Sequence, residues 1–275
     1  MYPYLLPDVF GYNLPMYDIM IMLGLFVMLA YVARRLEKQD GYTRKQTNKL
    51  LLFLVLSLGI TLLSSYIVDG VFHFIGNYRE MADAGMTFVE IVKGSFGSVT
   101  FIGGLIGGLA ALILFIKYGY KESNKDLRKI LNTIITGVVI AHAIGRIGCF
   151  FAGCCYGIPT ESFLGVTFPH GHSEGISVYP TQLFESIFLF ILFILLNKVK
   201  SFKNMETEVY LIGYGAFRVL NEFFRGDDRG SIFGFITTQY NTYPSPSQYL
   251  SLIMVGFGVY LLLKRKKANQ LKKSE

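Results

Sequence analysis

Seven stretches of mostly apolar residues, separated by polar segments, run along this chain of 275 residues. They cover residues 16–33, 50–68, 99–116, 130–151, 180–196, 209–224 and 249–263. Runs near this length can cross a bilayer core of about 30 Å as helices that rise about 1.5 Å per residue. The pattern therefore predicts an all-α integral membrane protein with seven transmembrane helices.

Basic residues are concentrated in alternate segments between these stretches, at 34–49, 117–129, 198–203 and 264–273. Cytoplasmic loops of membrane proteins carry an excess of lysine and arginine. The asymmetry predicts that the N-terminus lies outside and the C-terminus in the cytoplasm, which an odd number of spans requires. The net charge of +7 is explained by this orientation, so no nucleic-acid partner is expected.

The whole chain, residues 1–275, is expected to form one polytopic membrane domain, because neither repeats nor a separate soluble segment can be seen. Residues from about 69 to 98 are expected to form an outer arm, and residues 152–179 an outer loop. The tail over residues 264–275 is rich in lysine, which is typical of a last helix anchored at anionic lipid head groups.

A cation within an apolar stretch is the first sign of a functional site. Arg146 lies about 27 Å along a helix from the cytoplasmic Arg128, and so near the outer leaflet. Its guanidinium stays protonated and is costly to bury without an anionic partner. Gly145 and Gly148 let another helix or a lipid head group approach the backbone. His142, one turn earlier, is either a hydrogen-bonded interior histidine or a general base.

Further charges lie in the outer halves of the fifth and sixth stretches. Arg218, Glu222 and Arg225 are spaced i, i+4 and i+7, so they are predicted to share one face of a helix. Glu185 is placed a turn or two inside the outer end of the fifth stretch. These residues form either a structural network of ion pairs or, together with Arg146, a site for a phosphate group.

Two other motifs carry weaker signals. Gly103 and Gly104 open the third stretch, where glycines serve close packing of helices or the approach of a substrate. His170 and His172 flank a glycine, but they lack further ligands at a suitable spacing. No metal ion and no other cofactor is predicted.

Several segments, taken in chain order, resemble those of one known family. Residues 145–150 (Gly-Arg-Ile-Gly-Cys-Phe) are similar to its signature Gly-Arg-x-Gly-Asn-Phe. Residues 179–185 (Tyr-Pro-Thr-Gln-Leu-Phe-Glu) are similar to its Pro-Ser-Gln-Leu-Tyr-Glu, and residues 213–218 with 222–225 to its Gly-x-Phe-Arg and Glu-Phe-Phe-Arg segments. Tyr17 stands where the family has a tyrosine that opens its first helix. The chain thus resembles the prolipoprotein diacylglyceryl transferases over nearly its whole length.

The resemblance implies transfer of a diacylglyceryl group from phosphatidylglycerol, or another anionic phospholipid, to the lipobox cysteine of a preprolipoprotein in the bacterial cell membrane. Glycerol phosphate is then released. Arg146 and Arg225 match the family's two essential arginines, and His142 is a candidate catalytic base. The substrate-binding positions suggested by the motifs and their surroundings are Tyr17, Gly103, Gly104, Gly145, Gly148, Cys149, Gln182, Glu185, Arg218 and Glu222.

Three positions depart from the family pattern. Ile102 stands where the family has the histidine of a His-Gly-Gly motif, Cys149 replaces an asparagine, and Cys154 replaces an acidic residue. Because isoleucine cannot accept a proton, either His142 serves as the base or the acceptor is not a lipobox thiol. The alternatives are a transferase that acts on a glycan or a lipid head group, and a non-catalytic lipid-binding or transport protein.

A thiol-redox protein is a further alternative, based on Cys149, Cys154 and Cys155. These three cysteines form neither a disulfide framework nor a Cys-x-x-Cys pair. A disulfide between the vicinal Cys154 and Cys155 would be strained. The sequence therefore favours a transferase over a redox function.

Overall fold

The structure, a computed structural model, describes residues 14–97, 100–120, 127–169, 173–227, 231–232, 236–237 and 244–274. The α-helices in these ranges are α1 (Met16–Lys38), α2 (Arg44–Asp83), α3 (Phe88–Ser95), α4 (Phe101–Gly119), α5 (Leu127–Ala152), α6 (Thr181–Lys198), α7 (Glu206–Asn221) and α8 (Pro246–Ser274). Short 3-10 helices cover Lys200–Phe202 and Glu222–Phe224. Strand β1 (Val166–Thr167) pairs antiparallel with β2 (Ser177–Val178), and β3 (Ser231–Ile232) with β4 (Ile236–Thr237).

The predicted apolar stretches coincide with α1, α2 and α4 to α8 except at a few end positions: residues 100 and 180 precede their helices, residues 222–224 form a 3-10 helix, and residue 99 falls outside the described residues. Within the described part of the chain, five helices are long and apolar enough to cross a membrane: α1, α2, α5, α6 and the Pro246–Ala268 part of α8. The apolar part of α4, Gly103–Gly119, is shorter, and α7 has 16 residues. A helical membrane fold is confirmed, while the count of seven spans stays a prediction.

Helix α3 lies in the predicted outer arm and was not expected from the sequence. Its N-cap, Thr87, accepts a hydrogen bond from the Glu90 backbone, and the Glu90 carboxylate accepts one from the Thr87 backbone. These contacts lower the pKa of Glu90, because they stabilise its charged form. The reciprocal bonds form a capping box, which explains why a helix starts at this point.

The chain divides into two compact units. The first comprises Met1–Arg35, Arg128–Gly230 and Thr238–Glu275, and the second comprises Leu36–Leu127 and Ser231–Thr237. The core of the first unit is formed where α5, α6 and α7 meet. Its buried members are Val139, Ala143, Leu189, Leu192, Leu196, Tyr210 and Tyr214.

In the first unit, the segment that follows α5 passes very close to two other segments, the one before α6 and the one after α7. The Gly157 backbone donates to Tyr179, and the Gly226 backbone donates to Tyr156, at 2.8 and 3.1 Å. A Cβ atom on Gly226 would lie 2.4 Å from the Gly157 carbonyl oxygen, so a side chain cannot be accommodated there. This crossing brings the end of α5, the start of α6 and the residues after α7 together.

At the opposite end of α5, ion pairs fix the start of α7. Glu206 pairs with Arg35 of α1, and Glu208 pairs with Arg128 of α5. Both carboxylates are almost fully buried, where a charge is stable only with a partner. These pairs serve the packing of the helices.

In the second unit, glycines of α4 permit close contact with α2. A Cβ atom on Gly103 would lie 2.6 Å from Cβ of Val68 and 2.9 Å from the carbonyl oxygen of Ser64. One on Gly104 would lie 3.3 Å from the Thr61 carbonyl oxygen. These distances support the packing interpretation of both glycines.

Gly103→Ala is expected to destabilise the second unit, since overpacking costs about 1–3 kcal/mol. The measurement is the Tm of the protein in detergent. Gly59→Ala is the matched control, because Gly59 is an exposed helical glycine with no atom within 4 Å of its added Cβ. Equal Tm values for both variants would show that the α2–α4 contact does not need Gly103.

Candidate active site

Glu185 of α6 is fully buried and forms the centre of the site. Its Oε1 atom accepts a hydrogen bond of 2.7 Å from the Tyr214 hydroxyl. The same oxygen lies 3.0 Å from Nε of Arg146 and 3.4 Å from Nε2 of His142. Its Oε2 atom lies 3.8 Å from Nη1 of Arg218. We call these five residues the Glu185 cluster; they join α5, α6 and α7 through one carboxylate.

A hydrogen bond between α6 and α5, together with the spacing of residues along α5 and α7, positions the side chains of the cluster. Ser186 of α6 donates a 2.8 Å hydrogen bond to the carbonyl of Ala143 on α5. His142 and Arg146 stand one turn apart on α5, so both reach the same carboxylate. Tyr214 and Arg218 repeat this spacing on α7. Tyr214 was not predicted from the sequence, although its position one turn before Arg218 was a usable signal.

A second carboxylate, that of Glu222, holds Arg218 from its other side. Oε2 of Glu222 lies 2.9 Å from Nη2 of Arg218. The Ser245 hydroxyl donates a 2.7 Å hydrogen bond to Oε1 of Glu222. Ser247 accepts a 3.3 Å hydrogen bond from Nη2 of Arg218. Arg218 is thereby fixed between two carboxylates and the first turn of α8.

Arg225 does not share a helical face with Arg218 and Glu222, and this prediction was wrong. Helix α7 ends at Asn221, a 3-10 turn follows, and Arg225 is extended, with φ −75° and ψ 138°. Spacing along a helix predicts a shared face only while the helix continues. Arg225 instead pairs with Gly157 in a β-bridge.

The Arg225 side chain forms a two-pronged ion pair with Asp227, which the sequence did not single out. Nε lies 2.6 Å from Oδ1, and Nη2 lies 2.5 Å from Oδ2. The guanidinium is almost fully buried. Such planar, bidentate geometry is the one in which arginine also binds phosphate.

Arg146 is held differently, since its contact with Glu185 joins Nε to Oε1 at 3.0 Å. Among the hydrogen bonds of the described residues, its terminal nitrogens have one acceptor, the Cys149 sulfur at 3.9 Å from Nη1. A guanidinium carries five N–H donors. The side chain is 17% exposed. The position of Arg146 is therefore fixed, and its terminal N–H groups can still donate hydrogen bonds to an anion.

The two candidate arginines belong to the same compact unit. The Arg225 guanidinium lies within electrostatic range of Arg146, and the Cys155 thiol lies within range of both. Three arginines here face three carboxylates, those of Glu185, Glu222 and Asp227. A bound phosphate would therefore compete with a carboxylate for its arginine.

Several predicted positions surround the cluster without joining its ion pairs. A Cβ atom on Gly148 would lie 3.3 Å from the Tyr17 carbonyl oxygen, and one on Gly145 would lie 3.3 Å from Ile21. Both glycines thus permit α1 to pack against α5, and the Tyr17 side chain is 40% exposed. Gln182 is buried and donates a 2.6 Å hydrogen bond to the Cys154 carbonyl.

Other predicted positions cannot be located relative to the cluster. Gly103 and Gly104 belong to the second unit. The side chain of Ile102, and the residues His170 and His172, lie outside the described residues.

Comparison with known proteins gives one consistent result. The family model described as prolipoprotein diacylglyceryl transferase matches residues 6–264. A protein of Clostridium tetani named phosphatidylglycerol–prolipoprotein diacylglyceryl transferase is 32% identical over 261 residues, which are 92% of this chain and 94% of the relative. A second enzyme of this name, from Clostridium perfringens, is 31% identical over 263 residues, 93% of each chain.

Proposed function

Because the chain belongs to the prolipoprotein diacylglyceryl transferase family, we propose that it transfers a diacylglyceryl group from phosphatidylglycerol to a prolipoprotein. The acceptor is the thiol of the lipobox cysteine, and glycerol phosphate is the second product. The observation that carries the proposal is Arg146, whose Nε lies 3.0 Å from a buried carboxylate while its terminal nitrogens donate no hydrogen bond to a carboxylate among the described residues.

The reaction needs a group that stabilises negative charge. The thiol sulfur attacks the diacylglyceryl carbon bonded to the phosphate oxygen, so a C–S bond forms and a C–O bond breaks. The electron pair of the broken bond leaves with the phosphate. Arg146 and Arg225 bind the phosphate oxygens as this charge develops, which is the most effective position for preorganised donors.

Asp227 must move away from Arg225 before this step, because a phosphate would bind at the same edge of the guanidinium. Its carboxylate occupies the edge of Arg225 formed by Nε and Nη2, the edge that would clamp a phosphate. The lipid phosphate therefore replaces Asp227 on Arg225 when it binds. Glu185 stays in place, since it is enclosed by Tyr214, His142 and two arginines.

His142 is the residue we propose as the base that accepts the thiol proton. Its Nε2 atom faces Glu185, and 27% of its side chain is exposed. The carboxylate orients the ring and stabilises the imidazolium that forms. His142→Asn is expected to lower kcat about 10²-fold, the lower end for loss of a general base. Unchanged kcat, with phospholipid binding retained, would leave His142 as an interior histidine.

The proposed topology has seven spans, with α4 and α7 included, in the bacterial cell membrane. The N-terminus is outside, the C-terminus is cytoplasmic, and the whole chain forms one membrane domain. The basic segments after α1 and at the end of α8 support this orientation. The Glu185 cluster then faces the outer leaflet, where phospholipid and prolipoprotein meet.

The test is incubation of the purified protein with labelled phosphatidylglycerol and a lipobox peptide. Equal amounts of glycerol phosphate and diacylglyceryl peptide are expected, and a peptide with serine in place of its cysteine is the control acceptor. Absence of glycerol phosphate, with or without the peptide, contradicts the proposal. Release of glycerol phosphate without modification of the peptide would point to the other acceptors, a glycan or a lipid head group, which Ile102 motivates.

A further inference from the structure

The three cysteines of the chain lie together beside the Glu185 cluster. Cys149 stands near the end of α5, and Cys154 and Cys155 follow in the next turn. Their sulfur atoms all lie within 4.8 Å of one another, and none is in a disulfide. We call them the thiol cluster.

The backbone of the thiol cluster is fixed by buried side chains of α6. Thr181 donates a 2.7 Å hydrogen bond to the Cys155 carbonyl, and Gln182 donates one of 2.6 Å to the Cys154 carbonyl. The Cys154 backbone donates to the Cys149 carbonyl at 3.2 Å. Because these contacts hold the turn, the three sulfurs converge without any added ligand.

Charge and accessibility also suit a cation bound by thiolates. Three thiolates and one divalent ion carry a net charge of −1, and the Arg146 and Arg225 guanidiniums lie within electrostatic range of Cys155. Cys149 is buried, whereas Cys154 and Cys155 are partly exposed. An ion can therefore enter from the exposed side and still meet a buried third ligand.

We propose that Cys149, Cys154 and Cys155 form a binding site for one thiophilic metal ion of the class of Zn²⁺ or Cu⁺. Zinc–sulfur bonds of about 2.3 Å place tetrahedral ligand sulfurs about 3.8 Å apart, which is compatible with three sulfurs that all lie within 4.8 Å of one another. Thiolates are the ligands that these soft ions select. Each thiol releases its proton to solvent on binding. This proposal does not rest on the proposed transferase reaction.

The test is a titration of the reduced, detergent-purified protein with Cd²⁺, whose bonds to thiolates absorb in the near ultraviolet. The chain has only three cysteines, so every thiolate signal arises from this cluster. Saturation at one Cd²⁺ per chain is expected, and prior addition of Zn²⁺ should raise the apparent Kd for Cd²⁺. A protein with three titratable thiols but no such absorption contradicts the proposal.

Single variants distinguish a site with three cysteine ligands from binding by the vicinal Cys154 and Cys155 alone. Cys149→Ser and Cys154→Ser are each expected to raise the Kd for Cd²⁺ at least about tenfold, since even residues that only orient ligands change affinity by about 10–100-fold. An unchanged Kd in Cys149→Ser overturns the three-ligand site.

Cysteine labelling of the wild-type protein tests the proposal even if a variant fails to fold. Zn²⁺ is expected to slow maleimide labelling of all three cysteines, as read by mass spectrometry. Labelling at the same rate with and without Zn²⁺ would contradict the proposal, whatever the variants do.

Discussion

Arg146→Ala is expected to lower kcat for release of glycerol phosphate about 10³-fold while the protein stays folded. Loss of one preorganised donor to a developing negative charge costs about 10²–10³ in rate, and here the lost donor is also charged. Arg225→Ala should behave in the same way. The measurement is steady-state release of glycerol phosphate from phosphatidylglycerol, with gel filtration in detergent to show that the chain is folded.

Two further variants make the Arg146 result specific. Arg79→Ala removes an exposed arginine of α2 and should leave kcat unchanged. Arg146→Lys keeps the charge but loses the planar pair of donors, so it should restore only part of the rate. If Arg146→Ala turns over normally, the arginine serves helix packing and the proposed role of the Glu185 cluster is wrong.

Glu185→Gln is expected to cause the largest loss of stability. Glutamine keeps the shape and still accepts the Tyr214 hydrogen bond, but it leaves Arg146 and Arg218 facing a neutral group. Removal of one partner from a buried ion pair costs about 3–5 kcal/mol. A large fall in Tm is expected in detergent, together with loss of turnover because Arg146 is no longer oriented.

The control for this variant is Glu161→Gln, which alters an exposed carboxylate between α5 and β1 and should leave Tm and kcat unchanged. A Glu185→Gln protein with wild-type Tm would show that the arginines do not depend on this carboxylate. In that case Glu185 cannot be the centre of the site.

Much of the fold could be predicted from hydrophobic runs, because a helix in a membrane must be apolar over a length set by the bilayer. Residues Glu185 and Arg146 were predictable for the same reason, since a charge in an apolar run is costly and stands out. Helix α3 was missed, because its eight residues are too short to produce such a run.

The remaining parts of the site depend on turns, which periodicity does not reveal. The 3-10 turn after Asn221 moves Arg225 off the face of α7 and brings it to Asp227. The thiol cluster depends on the turn at Gly153, with φ 67°, which brings Cys154 back toward Cys149. Contacts of this kind arise from the folded backbone, so the sequence could name the residues but not their partners.

The most direct test of the site is a structure determined with phosphatidylglycerol bound in the absence of peptide. The prediction is one phosphate whose oxygens lie about 3 Å from guanidinium nitrogens of both Arg146 and Arg225, with Asp227 displaced from Arg225. A lipid phosphate bound elsewhere, while Arg146 and Arg225 keep Glu185 and Asp227 as their charged partners, would contradict the proposed mechanism.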